Sequence, residues 1–235
     1  MTSARGAHGR PPESPPVRDS TRASGYVPTM IRLFDSAISG NSYKVRLAAA
    51  QLGIPLAIVP VDILKGESRT PEFLARNPNG RTPVIDDDGF VLAESNAILA
   101  YLARGTRLLP DDRRRFGLVL QWLFFEQYSH EPYIATSRFW LLHKPDGPER
   151  TAALAARRDG GRAALGVMEG HLRARRFFVD DYSIADIALF AYTHVSHEGG
   201  FPLDDFPHVR AWLDRVRAEP GFVAMEATAG PARAT

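Results

Sequence analysis

Two short stretches carry residue types that could do chemistry together. Glu94-Ser95 places a carboxylate and a hydroxyl where an apolar helical pattern begins with Ala97, Ile98, Ala100, Tyr101 and Leu102. Thr82-Pro83 opens a strand with a residue that has no N–H to give to a ladder. A helix start offers N–H groups and a positive dipole end to a carboxylate, and Glu94 could receive an ammonium, so the pair suits an anionic, amino-acid-like ligand. The same two residues also fit a plain helix cap, with Ser95 at the N-cap and Glu94 in solvent.

The elements that must position these groups can be read outward from them. Asp87-Asp88-Gly89 is turn chemistry between Val84-Ile85 and Phe90-Val91-Leu92, which predicts an antiparallel hairpin ahead of the helix. Upstream, residues 30–34 read as a strand, 35–41 as a polar loop and 42–52 as a helix stopped by Gly53 and Pro55. A second strand follows at 56–61, and Pro60 within it points to a sheet edge. Thr70-Pro71-Glu72 supplies an N-cap, an N1 proline and a first-turn acid for a short helix ending near Arg76. The resulting order, βαβαββα, predicts a mixed four-stranded sheet with helices packed on it.

Residues 105–112 read as a linker, and the pattern beyond is helical. Residues 113–143 hold Phe116, Val119, Leu120, Leu123, Phe124, Tyr128 and Ile134 at helical spacing, with Pro132 expected to kink or split the run. A helix is predicted over about 149–175, with Gly160-Gly161 as an expected interruption. Ser183-Ile184-Ala185-Asp186 has the form of a capping box before an apolar helix at 187–195, which accounts for Asp186 structurally. Residues 206–218 put Val209, Trp212, Leu213 and Val216 on one helical face.

Composition sets the limits. A chain of 235 residues can bury a sizeable core, and a net charge of +2 gives no electrostatic case for nucleic acid or an acidic membrane. The absence of cysteine excludes disulfides, thiolate metal sites and a protein thiol nucleophile, so any thiol chemistry here uses a thiol from outside. His130 and His143 lack companions at metal-ligand spacing, and no metal is assigned. No apolar run reaches membrane-spanning length and residues 1–29 lack the apolar core of a secretion signal, which makes a cytoplasmic location the default. Residues 1–29, rich in Pro, Gly, Ser and Arg, read as a disordered and dispensable extension, and the last residues as a loose tail.

Four runs in this order, SGNSYKVRLAAAQLGIP at 39–55, NPNGRTPVI at 77–85, AESNAI at 93–98 and YSIADIAL at 182–189, resemble the cytosolic glutathione S-transferase family over about residues 30–222. The resemblance implies a thioredoxin-like domain at 30–104, a linker at 105–112, an all-helical domain at 113–222 and a tail at 223–235. It implies a serine-type active site like those of theta, zeta or nu members. The lack of cysteine departs from the omega and beta branches, and Ser39-Gly40-Asn41 departs from the Ser-Ser-Cys signature of the zeta branch.

By that resemblance Thr82-Pro83 is a cis peptide, and Thr82 presents its backbone to the cysteinyl unit of glutathione. Glu94 and Ser95 hold the γ-glutamyl end, with Asn41, Arg81 and Pro83 beside them. Ser39 falls where serine-type members keep the residue that activates the thiol; Ser36, Asn41, Ser42 and Tyr43 are near enough to compete. A serine hydroxyl serves as a hydrogen-bond donor to a thiolate. Lowering a thiol pKa of about 8.5 by about two units requires about 2.7 kcal/mol, which one bond to a charged sulfur and a helix N-terminus supply between them. Tyr128, Tyr133, Phe139 and Trp140, with His130, are the expected wall of a pocket for a small hydrophobic electrophile. The implied partners are glutathione as co-substrate, that electrophile and a second copy of the chain, with no nucleic acid and no membrane. Other glutathione-dependent chemistry (disulfide or peroxide reduction, dehalogenation) and a non-catalytic binding or scaffold role are the alternatives.

Overall fold

The computed structural model describes residues 30–225, so the expectations for 1–29 and for the final ten residues lie outside it. The first part is a four-stranded sheet in the order β2-β1-β3-β4. β1 (Ile31–Asp35) pairs in parallel with β2 (Leu56–Pro60) and antiparallel with β3 (Val84–Asp87), which forms a hairpin with β4 (Phe90–Ala93). Pro60 ends the edge strand, as its missing N–H requires. The hairpin turn uses Asp88 at φ 50° and Gly89 at φ 89°, with the Gly89 N–H donating to the Asp86 carboxylate at 2.9 Å.

α1 (Gly40–Leu52) and α3 (Ser95–Ala103) pack together on one face of the sheet. Ile31, Leu33, Val45, Ile85, Ile98 and Leu102 form the layer between them and the strands. α2 (Pro71–Arg76) covers the other face, where Phe73 meets Phe34 edge-on at 6.3 Å beside Val61 and Val84. α1 starts two residues earlier than expected because Ser39 caps it, accepting the Ser42 N–H at 3.3 Å.

The second part is helical: α4 (Arg113–Phe125), α5 (Glu131–His143), α6 (Pro148–Leu172), α7 (Ile184–Thr193) and α8 (Pro207–Arg217). Two sequence expectations are corrected here. The break in the first long helical run is a π-helical turn, Glu126–His130, lying before Pro132; the proline then sits harmlessly in the first turn of α5, where its missing N–H has no intrahelical partner to lose. Gly160-Gly161 does not interrupt α6. A Cβ on Gly160 would lie 2.4 Å from the Tyr133 ring and one on Gly161 2.3 Å from the Phe201 ring, so both glycines admit aromatic rings against an unbroken helix. The capping box at Ser183 and Asp186 is present, and Asp186 also accepts the Phe178 N–H and the Trp212 indole N–H at 2.9 Å. Burial raises the Asp186 carboxyl to about 7 against those hydrogen bonds.

Tyr43, Leu47, Ala48, Leu99 and Ala103 of the sheet domain belong to the same buried cluster as Trp122, Leu123, Ile187, Ala191 and Trp212. The two parts therefore share a core, and α1 lies at their seam.

Candidate active site

Asn41, Asn77, Arg81, Thr82, Pro83, Glu94, Ser95, Gln127 and Glu131 line one open hollow at that seam. Each wall has a local cause. The Thr82-Pro83 bond is cis. The sheet ladder begins only at Val84, so the Thr82 amide and carbonyl lie outside it, at the mouth of the hollow. The loop before it is pinned by Asn77, whose side chain donates to the Arg81 carbonyl at 2.8 Å and accepts the Asn79 N–H at 3.1 Å.

The start of α3 differs from the expected cap. Glu94, not Ser95, is the N-cap; its backbone has φ 69° and ψ 112°, its carbonyl accepts the Ile98 N–H, and its side chain makes no capping bond. Ser95 is the first helical residue and is buried; its hydroxyl turns inward, donating to Asn41 Oδ1 at 3.2 Å and accepting from Lys44 Nζ at 3.4 Å. A left-handed φ on a non-glycine residue is a strain that folded proteins hold mainly where it aims a group, and here it leaves the Glu94 carboxylate exposed at the rim.

Ser39 stands on the loop after β1, half-buried, one residue before α1. It is not part of the hollow's lining, but Asn41 two residues on is. The helical domain holds this loop from two sides. Arg138 donates to the Ile38 carbonyl at 3.0 Å while paired with Glu198, and the Tyr192 hydroxyl accepts the Asn41 N–H at 3.3 Å with its ring against Gly40, where a Cβ would come within 2.6 Å. Burial raises the Tyr192 phenol above its ordinary range, with Glu131 adding to the rise, so it remains protonated. Two of the competing residues are committed elsewhere: the buried Ser42 hydroxyl accepts the Ser36 N–H at 3.3 Å, and Tyr43 donates to the Val223 carbonyl at 2.7 Å.

The four aromatic residues proposed for an electrophile pocket are not gathered at the hollow. Tyr128 is 84% exposed, Tyr133 packs on Gly160, Phe139 stacks beside His143 at 5.2 Å, and Trp140 is half-buried farther along α5. A larger hollow opens at the domain linker among Arg107, Leu109, Arg115, Asp181 and Tyr182; its arginines are paired with Glu219 and Asp181, so it concentrates no charge.

Asn77, Gln127 and Glu131 were not singled out from the sequence. Nor were two fully buried charges behind the wall, Lys44 and Glu126, which lie 2.9 Å apart. Their signal was there: a lysine inside KVRLAAAQL and a glutamate inside FFEQY are ionisable groups on otherwise apolar faces.

The comparisons with known proteins agree with this fold. Residues 30–104 match the family model for the glutathione S-transferase N-terminal domain, and residues 122–220 match that for its C-terminal domain. The chain belongs to the cytosolic glutathione S-transferase family. Among relatives of this transferase family, a probable glutathione S-transferase, GSTF2, of Oryza sativa subsp. japonica is 31% identical over 201 residues, covering 81% of this chain and 93% of its own. The crystal structure of a possible glutathione S-transferase from Rhodopseudomonas palustris is 48% identical, with a TM-score of 0.80 over 88% of this chain and 94% of the other. Ure2p in complex with glutathione is 27% identical, with a TM-score of 0.74 over 82% of this chain and 90% of the other. The thioredoxin-like and helical domains of the transferase fold are thus the two parts described above.

Proposed function

We propose that the chain is a glutathione transferase, and that the hollow between Thr82, Glu94 and Ser95 is its glutathione site. The observation that carries this reading is the convergence of a cis Thr82-Pro83 bond, a strained Glu94 and an inward Ser95 on one cavity edge. Glu94 takes the ammonium and Ser95 the carboxylate of the γ-glutamyl unit, the Thr82 backbone pairs with the cysteinyl unit, and Arg81 offers its cation to the remaining carboxylate. A similar structure, Ure2p, is described in complex with glutathione, which supports the ligand.

Ser39 donates its hydroxyl hydrogen to the sulfur and holds it as a thiolate, which attacks an electrophilic carbon and displaces its leaving group. Its oxygen accepts the Ser42 N–H and its hydroxyl also bonds the Tyr192 phenol, so the sulfur would draw the Ser39 hydrogen away from Tyr192. Arg138 and Tyr192 position the loop. A second copy of the chain covers the apolar side chains left on this one, among them Phe90 at 50% exposure and Phe124 at 69%.

Calorimetric titration with glutathione, paired with ultraviolet absorbance of the thiolate, tests the reading. Binding with a thiol pKa pulled well below about 8.5 is expected; no binding at millimolar glutathione would overturn it. One observation favours a binding protein without turnover: none of Tyr128, Tyr133, Phe139 and Trp140 lines the hollow beside Thr82 and Glu94. Binding without a lowered thiol pKa would decide for that second reading.

A further inference from the structure

Behind Ser95 and Asn41 lies a buried cluster for which the glutathione reading has no use. Lys44 of α1 and Glu126 of the π-helical turn are fully buried, with Nζ 2.9 Å from one Glu126 oxygen and 3.6 Å from Glu131 of α5. Lys44 also donates to the Ser95 hydroxyl at 3.4 Å and to Asn96 of α3 at 3.5 Å. Asn96 in turn donates to Glu126 at 3.0 Å, and Glu131 accepts from the Asn41 amide at 2.8 Å. Asn41 and Ser95, two polar residues of the hollow's lining, are therefore each one hydrogen bond from this cluster.

Its charges do not balance. One ammonium faces two carboxylates, Glu126 fully buried and Glu131 12% exposed at the edge of the hollow, and one oxygen of each has no hydrogen-bond partner among the described residues. An uncompensated buried charge is unfavourable by several kcal/mol, and a proton on Glu126 removes it. The neighbours cannot supply the missing positive charge. His130, fully buried and bonded to Thr193 at 2.9 Å, is pushed down to about 3 by burial and by Lys44, and Tyr192 of α7 is neutral. Glu126 agrees with the geometry: burial raises its carboxyl to about 7, with Lys44 lowering it and Glu131 raising it.

We propose that Lys44, Glu126 and Glu131 form a proton-binding base under the subsite for the ligand's amino-acid end, so that a carboxylate seated on Ser95 draws one proton from solvent onto the Glu126–Glu131 pair. The inference rests on the glutathione reading above. The balance is simple: the ligand brings a negative charge to within one hydroxyl of Lys44, the pair loses part of its counter-ion, and a proton from the buffer restores neutrality with no other bond made or broken. Glu126 and Lys44 act through Ser95 and Asn41 and are positioning residues.

The probe is S-methylglutathione, whose sulfur cannot ionise, titrated calorimetrically into the full chain in two buffers of different protonation heat. Wild type is expected to take up a fraction of a proton near pH 7.5 and to bind about threefold to tenfold more weakly at about pH 8.5 than at about pH 6. Glu126→Gln is expected to bind with no proton uptake and a flat pH profile. Infrared spectra of the ligand-free chain are expected to contain a protonated-carboxyl band, titrating near neutral pH, that Glu126→Gln removes while the band of Asp186 stays. Should Glu126→Gln fail to fold, Glu131→Gln, at the half-buried end of the cluster, is expected to abolish the uptake in its place. No binding by wild type would overturn the glutathione reading and this inference with it. Binding without proton uptake, or uptake unchanged in both variants, would overturn this inference alone.

Discussion

Glu94 holds a backbone conformation that a residue with a side chain adopts only under constraint, and its side chain makes no capping hydrogen bond that would repay it. Stability and function should therefore separate at this position. Glu94→Gly is expected to raise the unfolding free energy by about 1 kcal/mol while weakening glutathione binding at least tenfold, read by denaturant unfolding and calorimetry on one preparation. Ser39→Ala is expected to raise the bound thiol's pKa by about one to two units and leave glutathione affinity within a few-fold. If the thiolate absorbance does not change, the hydrogen bond comes from another group. His130 carries a pH prediction. Its folded pKa, about 3, lies below the ordinary 6.5, so the unfolded chain binds the proton first and stability is lost as pH falls below about 6.5. Between pH 7 and 5, His130→Asn is expected to lose about 2 kcal/mol less than wild type, measured as a difference because Glu126 and Asp186, both raised to about 7, pull the other way. Ser39, Thr82 and Glu94 could be singled out from the sequence because their types and neighbours are local signals. The partnership of Lys44, Glu126 and Glu131 could not be, because it depends on α1, the π-helical turn and α5 meeting, and pairings across 80 residues leave no spacing to read.

Elements were legible wherever a cap or a proline fixed them. Thr70-Pro71, Ser183-Asp186 and Gly53 each end or begin a helix as their side chains and backbone require. The misreadings came from glycine and proline standing where packing, not local propensity, decides. In α6, Gly161 faces the buried Phe201 ring and Gly160 the half-exposed Tyr133 ring. Gly161→Ala is expected to destabilise the chain by about 1–3 kcal/mol, since overpacking outweighs a helix-propensity gain of about 1 kcal/mol. Gly160→Ala should be nearly neutral, because Tyr133 has room to turn away. Equal effects of the two in urea unfolding would show that the rings do not set the difference. The π-helical turn left no sequence mark of its own. It brings Glu126 and His130 inward while Gln127 lines the hollow, an arrangement that one more or one fewer residue would undo.

The two family domains share one core among the described residues and are expected to unfold as one unit. α1 and α3 have two buried faces, one against the sheet and one in the cluster shared with α7. A fragment of residues 30–110 would expose Tyr43, Leu47 and Leu99 to water, roughly 1.5–3 kcal/mol for each large side chain. It is expected to aggregate or unfold, seen as exposed-surface dye binding and loss of a cooperative transition, whereas the full chain should unfold in a single step. The sequence indicated two domains by composition and order, but it could not indicate that they share a core, because an apolar helix with two buried faces looks like any other apolar helix. The bond from Tyr43 to the Val223 carbonyl spans 180 residues. A ribosome that has released the first hundred residues has made Ser39, Thr82, Glu94 and Ser95, yet Glu131, Arg138 and Tyr192 are still to come. Ligand binding should therefore arrive only after these later residues have been made, and a chain stalled short of Val223 would leave the first helix without this tether.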